Sequence, residues 1–409
     1  MAVVFQINSG VNIGSTGRIA EQIGKCCLAK GWESYIAYGR SSNPSESKTI
    51  KIGNNLDFFS HVFLSRCLDK HGLGSLRATK KLIKKIKEIK PDIVHLHNIH
   101  GYFINYVVLF RYLSKSELPV IWTLHDCWAF TGHCSYFSNI KCEKWKVGCE
   151  KCPKKKYYPK SMIIDRSKRN YFLKKNTYKS ITNITLVVVS KWLASLVNES
   201  ILSHFTLRII NNGVDVDAFL PSPNTALIRE KYGIKNRHML IGVATSWSIS
   251  KGWDDYCSLS KVLPDNCVIV LIGLTRNQMR SLPVGIIGIE RTENVKELAS
   301  LYSTADIVLN LSYQETFGMT TVEGFSCGTP CIAYNTTASP DLITPETGLV
   351  VEPGNIEQLK CSIEEILRKG KIYYTHNCRR RAEELYNAKN QYQKYLQLYM
   401  ELANKSTFC

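Results

Sequence analysis

The feature that most constrains this chain is a repeated alternation of short apolar runs with longer amphipathic stretches. The runs fall into two series: AVVFQI, PDIVHLH, PVIWTLHD and ITLVVVS in the first half, then HMLIGVAT, CVIVLIGL, VGIIGIE, ADIVLNLS, TPCIAYN and TGLVVEP in the second. Strands that are apolar on both faces and separated by helices are typical of parallel sheets covered on both sides. The sequence therefore predicts an α/β protein with two doubly wound, Rossmann-like domains.

A length of 409 residues also favours two domains, because one hydrophobic core rarely organises so long a chain. Asn, Gly, Asp and Pro cluster at residues 208–224, between the two series of strands. We predict an N-terminal domain at 1–205, a C-terminal domain at 206–385 and a final helix at 386–409 that packs back on the first domain. Paired domains of this kind usually bind a ligand in the cleft that they face, at the carboxyl ends of their strands.

Composition indicates the cellular compartment of the protein and the charge of its partners. No run of about 18 apolar residues occurs, so no transmembrane helix is expected. The start, MAVVFQINSG, lacks the features of a signal peptide, and we expect a cytoplasmic protein. In that compartment the 15 cysteines are expected to be thiols or metal ligands. The formal charge of +19 favours an anionic partner, such as a phosphorylated substrate, an anionic lipid or a nucleic acid.

Two loops that follow predicted strands contain residues suited to phosphate. In NSGVNIGSTGRIAEQI, Gly14 and Gly17 allow close backbone approach, and the helix that begins near Thr16 would direct free N–H groups at an anion. In GVATSWSISKGWDDY, Lys251 could neutralise a diphosphate. Each loop also has a simpler explanation, a strand-to-helix turn without a ligand for the first and a solvated surface lysine for the second.

The segment YQETFGMTTVE places Glu315 in a loop after a strand and Glu323 inside the next helix. Gly318, Met319 and Thr320 fall at the helix start, where backbone N–H groups and the helix dipole favour a phosphate. A carboxylate on each side could then accept hydrogen bonds from the hydroxyls of a nucleotide sugar. Alternatively, Thr320-Thr-Val-Glu323 is a capping box, in which Glu323 only caps its own helix. A glycosidase pair is a further alternative, but it needs carboxyls roughly 5 to 9 Å apart, which this spacing does not demand.

The segment ETFGMTTVEGFSCGTPCIAY resembles the E-x7-E segment of the retaining family 4 (group 1) glycosyltransferases, which have the two-domain GT-B fold. ELASLYSTADIVLNLSYQETFG, VVVSKWL, NNGVDVDAF and GLVVEPGN are similar to other segments of that family, so the similarity covers most of the chain. HNIHGY and WTLHDCWAFTGHC resemble the subgroup that builds bacterial capsule, exopolysaccharide or colanic-acid-type repeat units.

This resemblance implies a hexosyl transfer from a nucleotide-diphosphate sugar, a UDP- or GDP-sugar, to a glycan or lipid-linked acceptor, with retention and without a metal or other cofactor. It assigns Glu315 to hydroxyls of the donor sugar and Glu323 to the ribose. The backbone from Phe317 to Thr320 would approach the diphosphate. Departure of the phosphate would help to deprotonate the acceptor, so no dedicated nucleophile is implied.

The resemblance also implies catalytic roles for Lys251 and His125, beside Glu315. The arginine that the family usually has before Lys-Gly is replaced here by Ser246, which leaves Lys251 to hold the diphosphate with help from Arg18. His125 matches a first-domain histidine that faces the donor sugar, although a buried histidine at the end of a strand is the alternative. The glycine loop would place Gly14 and Gly17 at the donor.

Two further clusters lie outside the donor segment. His97 and His100 follow a predicted strand, where acceptor contacts and loop packing explain them equally well. Within the cysteine-rich loop 127–152, four thiols have the spacing C-x7-C-x6-C-x2-C, and such a set can hold structural zinc. Free thiols in a redox-sensitive loop are the alternative. The four residues are Cys134, Cys142, Cys149 and Cys152.

Basic segments of the first domain suggest a peripheral contact with the inner face of an anionic membrane. RATKKLIKKIKEIKPD has its apolar residues on one helical face and lysines on the others, and KCPKKKYYPK adds basic and aromatic groups. An ordinary surface helix is the simpler interpretation of the first segment. Two other functions remain open, a nucleotide-sugar epimerase or phosphorylase of related fold and a zinc-stabilised nucleic-acid-binding protein. Nucleic acid is the less favoured partner because it leaves the glutamate segment unexplained.

Overall fold

The computed structural model describes residues 2–179 and 181–406, which form two compact units. The first unit contains the chain up to Ile210 together with the terminal helix from Tyr392, and the second runs from Asn211 to Gln391. The first unit continues past residue 205, the predicted limit, because one more strand, Thr206–Ile209, pairs with its sheet.

Parallel strands form the sheet of the first unit. Its described strands are β1 Val3–Asn8, β2 Glu33–Tyr38, β3 Lys48–Lys51, β4 Ile93–Leu96, β5 Val120–Leu124, β6 Ile184–Val188 and β7 Thr206–Ile209. Their order is β3-β2-β1-β4-β5-β6-β7, and every pairing is parallel. Strands β4, β5 and β6 are buried along their whole length, as helices on both faces require. The strand order reverses between β1 and β4, so loops diverge there at the carboxyl edge.

Helices lie in the connections between these strands. They are α1 Gly14–Ala29, α2 Asn55–Leu68, α3 Leu76–Ile89, α4 Tyr106–Leu113, α5 Lys144–Val147, α6 Ser167–Lys179 and α7 Lys191–Asn198. Helix α3 buries Leu82 and Ile86 while Lys80, Lys81 and Lys84 are exposed. Its apolar stripe is therefore used in packing, as in an ordinary surface helix.

A second parallel sheet organises the second unit. Its described strands are β8 His238–Val243, β9 Cys267–Ile272, β10 Ile286–Ile289, β11 Ile307–Asn310, β12 Cys331–Tyr334 and β13 Gly348–Val351. They are ordered β10-β9-β8-β11-β12-β13. The helices are α8 Thr225–Lys231, α9 Trp253–Leu259, α10 Arg276–Arg280, α11 Val295–Thr304, α12 Met319–Ser326, α13 Ile356–Lys369 and α14 Lys371–Tyr386. Two doubly wound α/β units are thus confirmed.

The terminal helix, α15 Ala388–Ser406, packs on the first unit, as predicted. The hydroxyl of Tyr399 lies 2.6 Å from Nδ1 of His95 in β4, and the other ring nitrogen of His95 lies 2.7 Å from the hydroxyl of Thr123 in β5. The Thr123 hydroxyl also donates to Tyr395 at 3.3 Å. Because these groups are buried, the hydrogen bonds fix the helix in one position on the sheet.

Candidate functional site

The sheet of the second unit reverses its strand order between β8 and β11, which pair side by side. Lys251 lies in the loop that follows β8, and Glu315 lies in the loop that follows β11. Ligands of open parallel sheets bind at the carboxyl ends of the strands at such a reversal. The topology therefore brings two of the predicted site residues to the edge where a ligand is expected.

A close backbone approach joins these two loops. Gly252 has a φ of 75°, and a Cβ atom at this position would lie 2.3 Å from the carbonyl oxygen of Leu311. Only glycine satisfies both conditions. The amide of Tyr313 also donates to the carbonyl of Ser250 at 3.0 Å. The loop after β8 is consequently pinned to the loop after β11.

This junction places Lys251 against Glu315, and the lysine Nζ donates a hydrogen bond to the carboxylate Oε1. The side chains remain 35% and 17% exposed, so an incoming ligand can reach both. The backbone of Glu315 is fixed separately, because its amide donates to the hydroxyl of Thr337 at 2.9 Å and its carbonyl accepts from Ala338 at 3.3 Å. The position of the carboxylate thus depends on backbone contacts as well as on Lys251.

Helix α12 begins at Met319, four residues after Glu315. Gly318 precedes it with a φ of 107°, and no side chain caps the helix start. The first N–H groups of a helix have no partner within it and carry the positive end of its dipole, so the backbone from Gly318 to Thr320 suits an anion. Phe317 is 2% exposed and its ring packs against Tyr386, so this residue contributes backbone and packing to the site.

Glu323 lies one turn into α12, and the capping-box interpretation of this residue is wrong. Thr320 is inside the helix, where it cannot serve as the N-cap, since Gly318 holds that position. The carboxylate of Glu323 instead accepts a hydrogen bond from the hydroxyl of Tyr302 at 2.9 Å. Burial, reinforced by Glu323, raises the pKa of Tyr302, so this hydroxyl stays a proton donor. Sequence reasoning missed Tyr302, because only the packing of α11 against α12 brings it to Glu323.

In the first unit, a chain of buried hydrogen bonds leads to His125 at the end of β5. Its Nε2 lies 3.3 Å from Nδ1 of His97, whose Nε2 lies 2.9 Å from the side-chain oxygen of Gln6. Burial lowers the pKa of His125 to about 4 although Asp126 opposes this effect. A neutral imidazole at the strand end can exchange hydrogen bonds with sugar hydroxyls. His97 is 1% exposed with both nitrogens occupied, and we reassign it from acceptor contact to support of His125.

His100 has a different environment. Its Nε2 lies 2.8 Å from a carboxylate oxygen of Asp126, and its Nδ1 lies 3.0 Å from the hydroxyl of Tyr158. Burial would raise the pKa of Asp126, but His100 and the amide of Trp128 outweigh it and hold that pKa below its usual value. The carboxylate is therefore ionised and orients the histidine. Tyr158 belongs to the basic run that we predicted at a membrane, and its contact with His100 could not be read from the sequence.

The glycine-containing segment after β1 leads into α1, which begins at Gly14, two residues before the predicted start near Thr16. Gly14 has a φ of 64°, which favours glycine, and a Cβ at Gly17 would lie 3.1 Å from the carbonyl oxygen of Gly10. No side-chain hydrogen bond caps the start of α1, and Arg18 is exposed in its first turns. These features suit an anion, and the role of this loop in donor binding stays a prediction.

The cysteine-rich loop is compact. The four predicted ligands, Cys134, Cys142, Cys149 and Cys152, line one cavity of about 10 Å³. Stacking of Phe137 on Trp145, with ring centroids 5.2 Å apart, closes one side. Within residues 2–179 and 181–406, however, no three His, Cys, Asp or Glu side chains are arranged to hold one metal ion. Zinc binding stays a prediction from the spacing of the cysteines.

Metal analysis tests that prediction directly. We expect purified protein to contain about one equivalent of zinc, because four thiolates complete a tetrahedral shell. Cys152→Ser is expected to lower both the zinc content and the unfolding temperature, since structural metal binding contributes to folding stability. Cys361→Ser, at an exposed cysteine of α13, serves as the matched control and should change neither. Less than about a tenth of an equivalent in the wild type, with unfolding indifferent to chelator, would exclude the metal.

Comparison with protein families identifies the family to which this chain belongs. A family model described as Glycosyltransferase Family 4 matches residues 16–218, and one described as Glycosyl transferases group 1 matches residues 226–385. The chain belongs to the family 4, group 1 glycosyltransferases. The second match contains the Lys251–Glu315 pair and the start of α12 that together form the candidate site of this glycosyltransferase.

One curated relative of the glycosyltransferase is the putative colanic acid biosynthesis glycosyl transferase WcaC of Escherichia coli. The two proteins are 26% identical over 244 residues. The alignment covers 56% of this chain and 59% of the relative, so this chain spans about three fifths of the length of that protein.

Solved structures show the same GT-B fold. Sucrose-phosphate synthase from Thermosynechococcus elongatus superimposes with a TM-score of 0.71 at 16% identity, over 98% of this chain and 99% of that one. Alr3699/HepE from Anabaena, solved in complex with UDP, gives a TM-score of 0.69 at 14% identity, over 98% and 100% of the two chains. In the glycosyltransferase itself, no helix among residues 2–179 and 181–406 has the length and apolarity of a membrane span.

Proposed function

We propose that this chain transfers a hexosyl group, with retention, from a UDP- or GDP-sugar to a glycan or lipid-linked acceptor in bacterial surface polysaccharide synthesis. The observation that carries the proposal is the pairing of Lys251 with Glu315 beside the uncapped start of α12. A cation, a helix start and a carboxylate at one sheet edge correspond to the diphosphate and the sugar of such a donor. The likeness to WcaC supports the polysaccharide setting, and the UDP complex of HepE supports a nucleotide donor.

Each group has a distinct task in this proposal. The N–H groups at the start of α12 and the ammonium of Lys251 bind the diphosphate. Glu315 accepts hydrogen bonds from hydroxyls of the donor sugar, and Glu323, oriented by Tyr302, accepts them from the ribose. His125 is assigned to the donor sugar by the family resemblance, and its neutral ring suits that contact.

The chemical step needs no group beyond donor and acceptor. The bond between the anomeric carbon and the diphosphate oxygen breaks while the acceptor hydroxyl oxygen approaches that carbon from the same face. The hydroxyl proton passes to the departing phosphate oxygen. Lys251 and the helix start stabilise the negative charge that grows on the leaving group, and Glu315 keeps the sugar aligned. Transfer without a metal cofactor is part of the proposal.

On the acceptor side, His100 is the stronger candidate of the two predicted histidines. It is 9% exposed, and the ionised Asp126 fixes its orientation from one side while Tyr158 does so from the other. A ring held in this way can position a hydroxyl without rearrangement. His97, whose ring is enclosed, acts only through His125.

A donor panel tests the function. UDP- and GDP-sugars are screened for an increase in unfolding temperature, since ligand binding to the folded state stabilises it. The stabilising donor is then incubated with lipid-linked and glycan acceptors. We expect stabilisation by donors of one nucleotide and release of nucleotide diphosphate that depends on an acceptor. Turnover of the donor without any acceptor, or strict dependence on free phosphate, would instead indicate an epimerase or a phosphorylase.

A further inference from the structure

Helix α2 of the first unit has an unusual distribution of side chains. It buries His61 and Ser65, both fully enclosed, and exposes Leu56, Phe59 and Phe63. The exposed fractions of these three apolar residues are 79%, 64% and 63%. A surface helix normally buries its apolar stripe and presents polar residues to solvent. Helix α2 does the opposite.

The orientation of α2 is fixed by hydrogen bonds on its buried face. The ring of His61 contacts the hydroxyl of Ser75 at 2.9 Å with one nitrogen and accepts from the amide of Gly72 at 3.1 Å with the other. A capping box between Asn54 and Asp57 holds the start of the helix. The exposed stripe is therefore a stable face of the fold, because turning it inward would break these buried contacts.

The apolar surface continues onto a neighbouring loop. The amide of Met162 donates to the carbonyl of Arg66 at 2.7 Å, which attaches the loop to the last turn of α2. Met162 and Ile163 are 63% and 69% exposed. Ser161, which precedes them, is buried, and its amide donates to the carbonyl of Lys155 at 2.8 Å. We call Leu56, Phe59, Phe63, Met162 and Ile163 the apolar face. The residues of α2 alone extend it over about 10 Å.

The segments that carry the apolar face are rich in positive charge. Residues 54–90 contain nine lysines and arginines against three acids, and residues 151–164 contain five lysines and no acid. Helix α3, whose N-cap Ser75 contacts α2, exposes most of its lysines. Large apolar side chains within a basic rim are typical of surfaces that bind anionic bilayers, where the apolar groups enter the acyl boundary and the lysines meet headgroups.

We propose that the apolar face docks this chain on an anionic lipid bilayer. The charge pattern favours a bilayer over a protein partner, because protein interfaces are depleted of lysine. This inference rests on the proposed function in one respect: a lipid-linked acceptor would be presented at the same membrane surface. In this proposal the basic segments predicted at the membrane contact the lipid headgroups. The apolar side chains of α2 and of the loop with Met162 and Ile163 enter the bilayer.

Vesicle flotation tests the docking. The probe is a vesicle of phosphatidylcholine with about 30% phosphatidylglycerol, compared with pure phosphatidylcholine. We expect wild-type protein to float with the anionic vesicles and to be released by salt. The triple variant Leu56→Ser, Phe59→Ser, Phe63→Ser is expected to lower the bound fraction at least about tenfold, because it removes the inserted apolar area.

A matched variant controls for loss of surface apolarity. Leu227→Ser, Val284→Ser, Ile372→Ser changes three residues of the second unit that are 64%, 96% and 84% exposed, and it should float like the wild type. Thermal stabilisation by the donor should be unchanged in both triple variants, which separates docking from donor binding. Equal flotation of the α2 variant and the wild type would overturn the proposal. The proposal would also be overturned if the wild type formed a dimer that did not float and the α2 variant were a monomer. The apolar face would then bind a second copy of the chain.

Discussion

Replacing Glu315 with alanine is expected to lower kcat/KM for transfer by about 10²–10³-fold while the protein stays folded. The carboxylate is proposed to hold the donor sugar in line for attack, and this alignment is needed most in the transition state. The loop itself should persist, because the amide and carbonyl of residue 315 bond to Thr337 and Ala338 through backbone atoms that alanine retains. Steady-state kinetics with the stabilising donor measures the effect.

Stability should change little in this variant. Lys251 loses its partner but is 35% exposed, so water replaces the carboxylate at small cost. We expect the unfolding temperature to shift by no more than about 3 °C. Glu290→Ala, which removes an exposed carboxylate 3.8 Å from Arg276, is the matched control and should transfer at the wild-type rate. Wild-type kinetics in Glu315→Ala would remove the assigned role.

Replacing Lys251 with alanine is the second large expected effect. Binding of the nucleotide diphosphate should weaken by about tenfold or more, and kcat/KM should fall by about 10²-fold, because the lysine neutralises charge that grows on the leaving group. By the family resemblance, Ser246 stands at the position of the usual arginine, so we expect more of this task to fall to Lys251. Calorimetric titration with UDP and GDP measures the first quantity, and steady-state kinetics measures the second.

The contact between Lys251 and Glu315 adds a sharper test. Because the two side chains are hydrogen-bonded, the double variant should lose less activity than the product of the two single losses. Lys261→Ala, an exposed lysine of the same unit, is the control and should bind nucleotide normally. Strictly multiplicative losses, or unchanged nucleotide binding in Lys251→Ala, would contradict a shared site.

The sequence predicted the fully buried strands, but it missed both edge strands of the first sheet and the neighbouring strand β2. Strands β4, β5 and β9 are buried throughout, so they appear as continuous apolar runs. Strands β3 and β7 are the two edges of the first sheet, and most of their residues are exposed. A strand with one neighbour and polar side chains has no apolar run to recognise.

In the candidate site, too, some features could be proposed from the sequence and others could not. Glu315, Lys251 and the start of α12 were proposed from the sequence because they lie in short segments that resemble those of the family, and the structure brings Lys251 and Glu315 into contact. Tyr302 on Glu323 and Tyr158 on His100 depend on packing between distant segments, which no local pattern records. The capping box failed because Gly318, with its positive φ, starts the helix two residues before Thr320.

The configuration of the product tests the central claim most directly. Transfer is run with the donor identified in the panel, and the anomeric centre of the new linkage is compared with that of the donor by NMR. The proposed same-face departure and attack predicts an unchanged anomeric configuration, with one nucleotide diphosphate released for each linkage formed. An inverted centre, or release of nucleotide diphosphate without a new linkage, would contradict it.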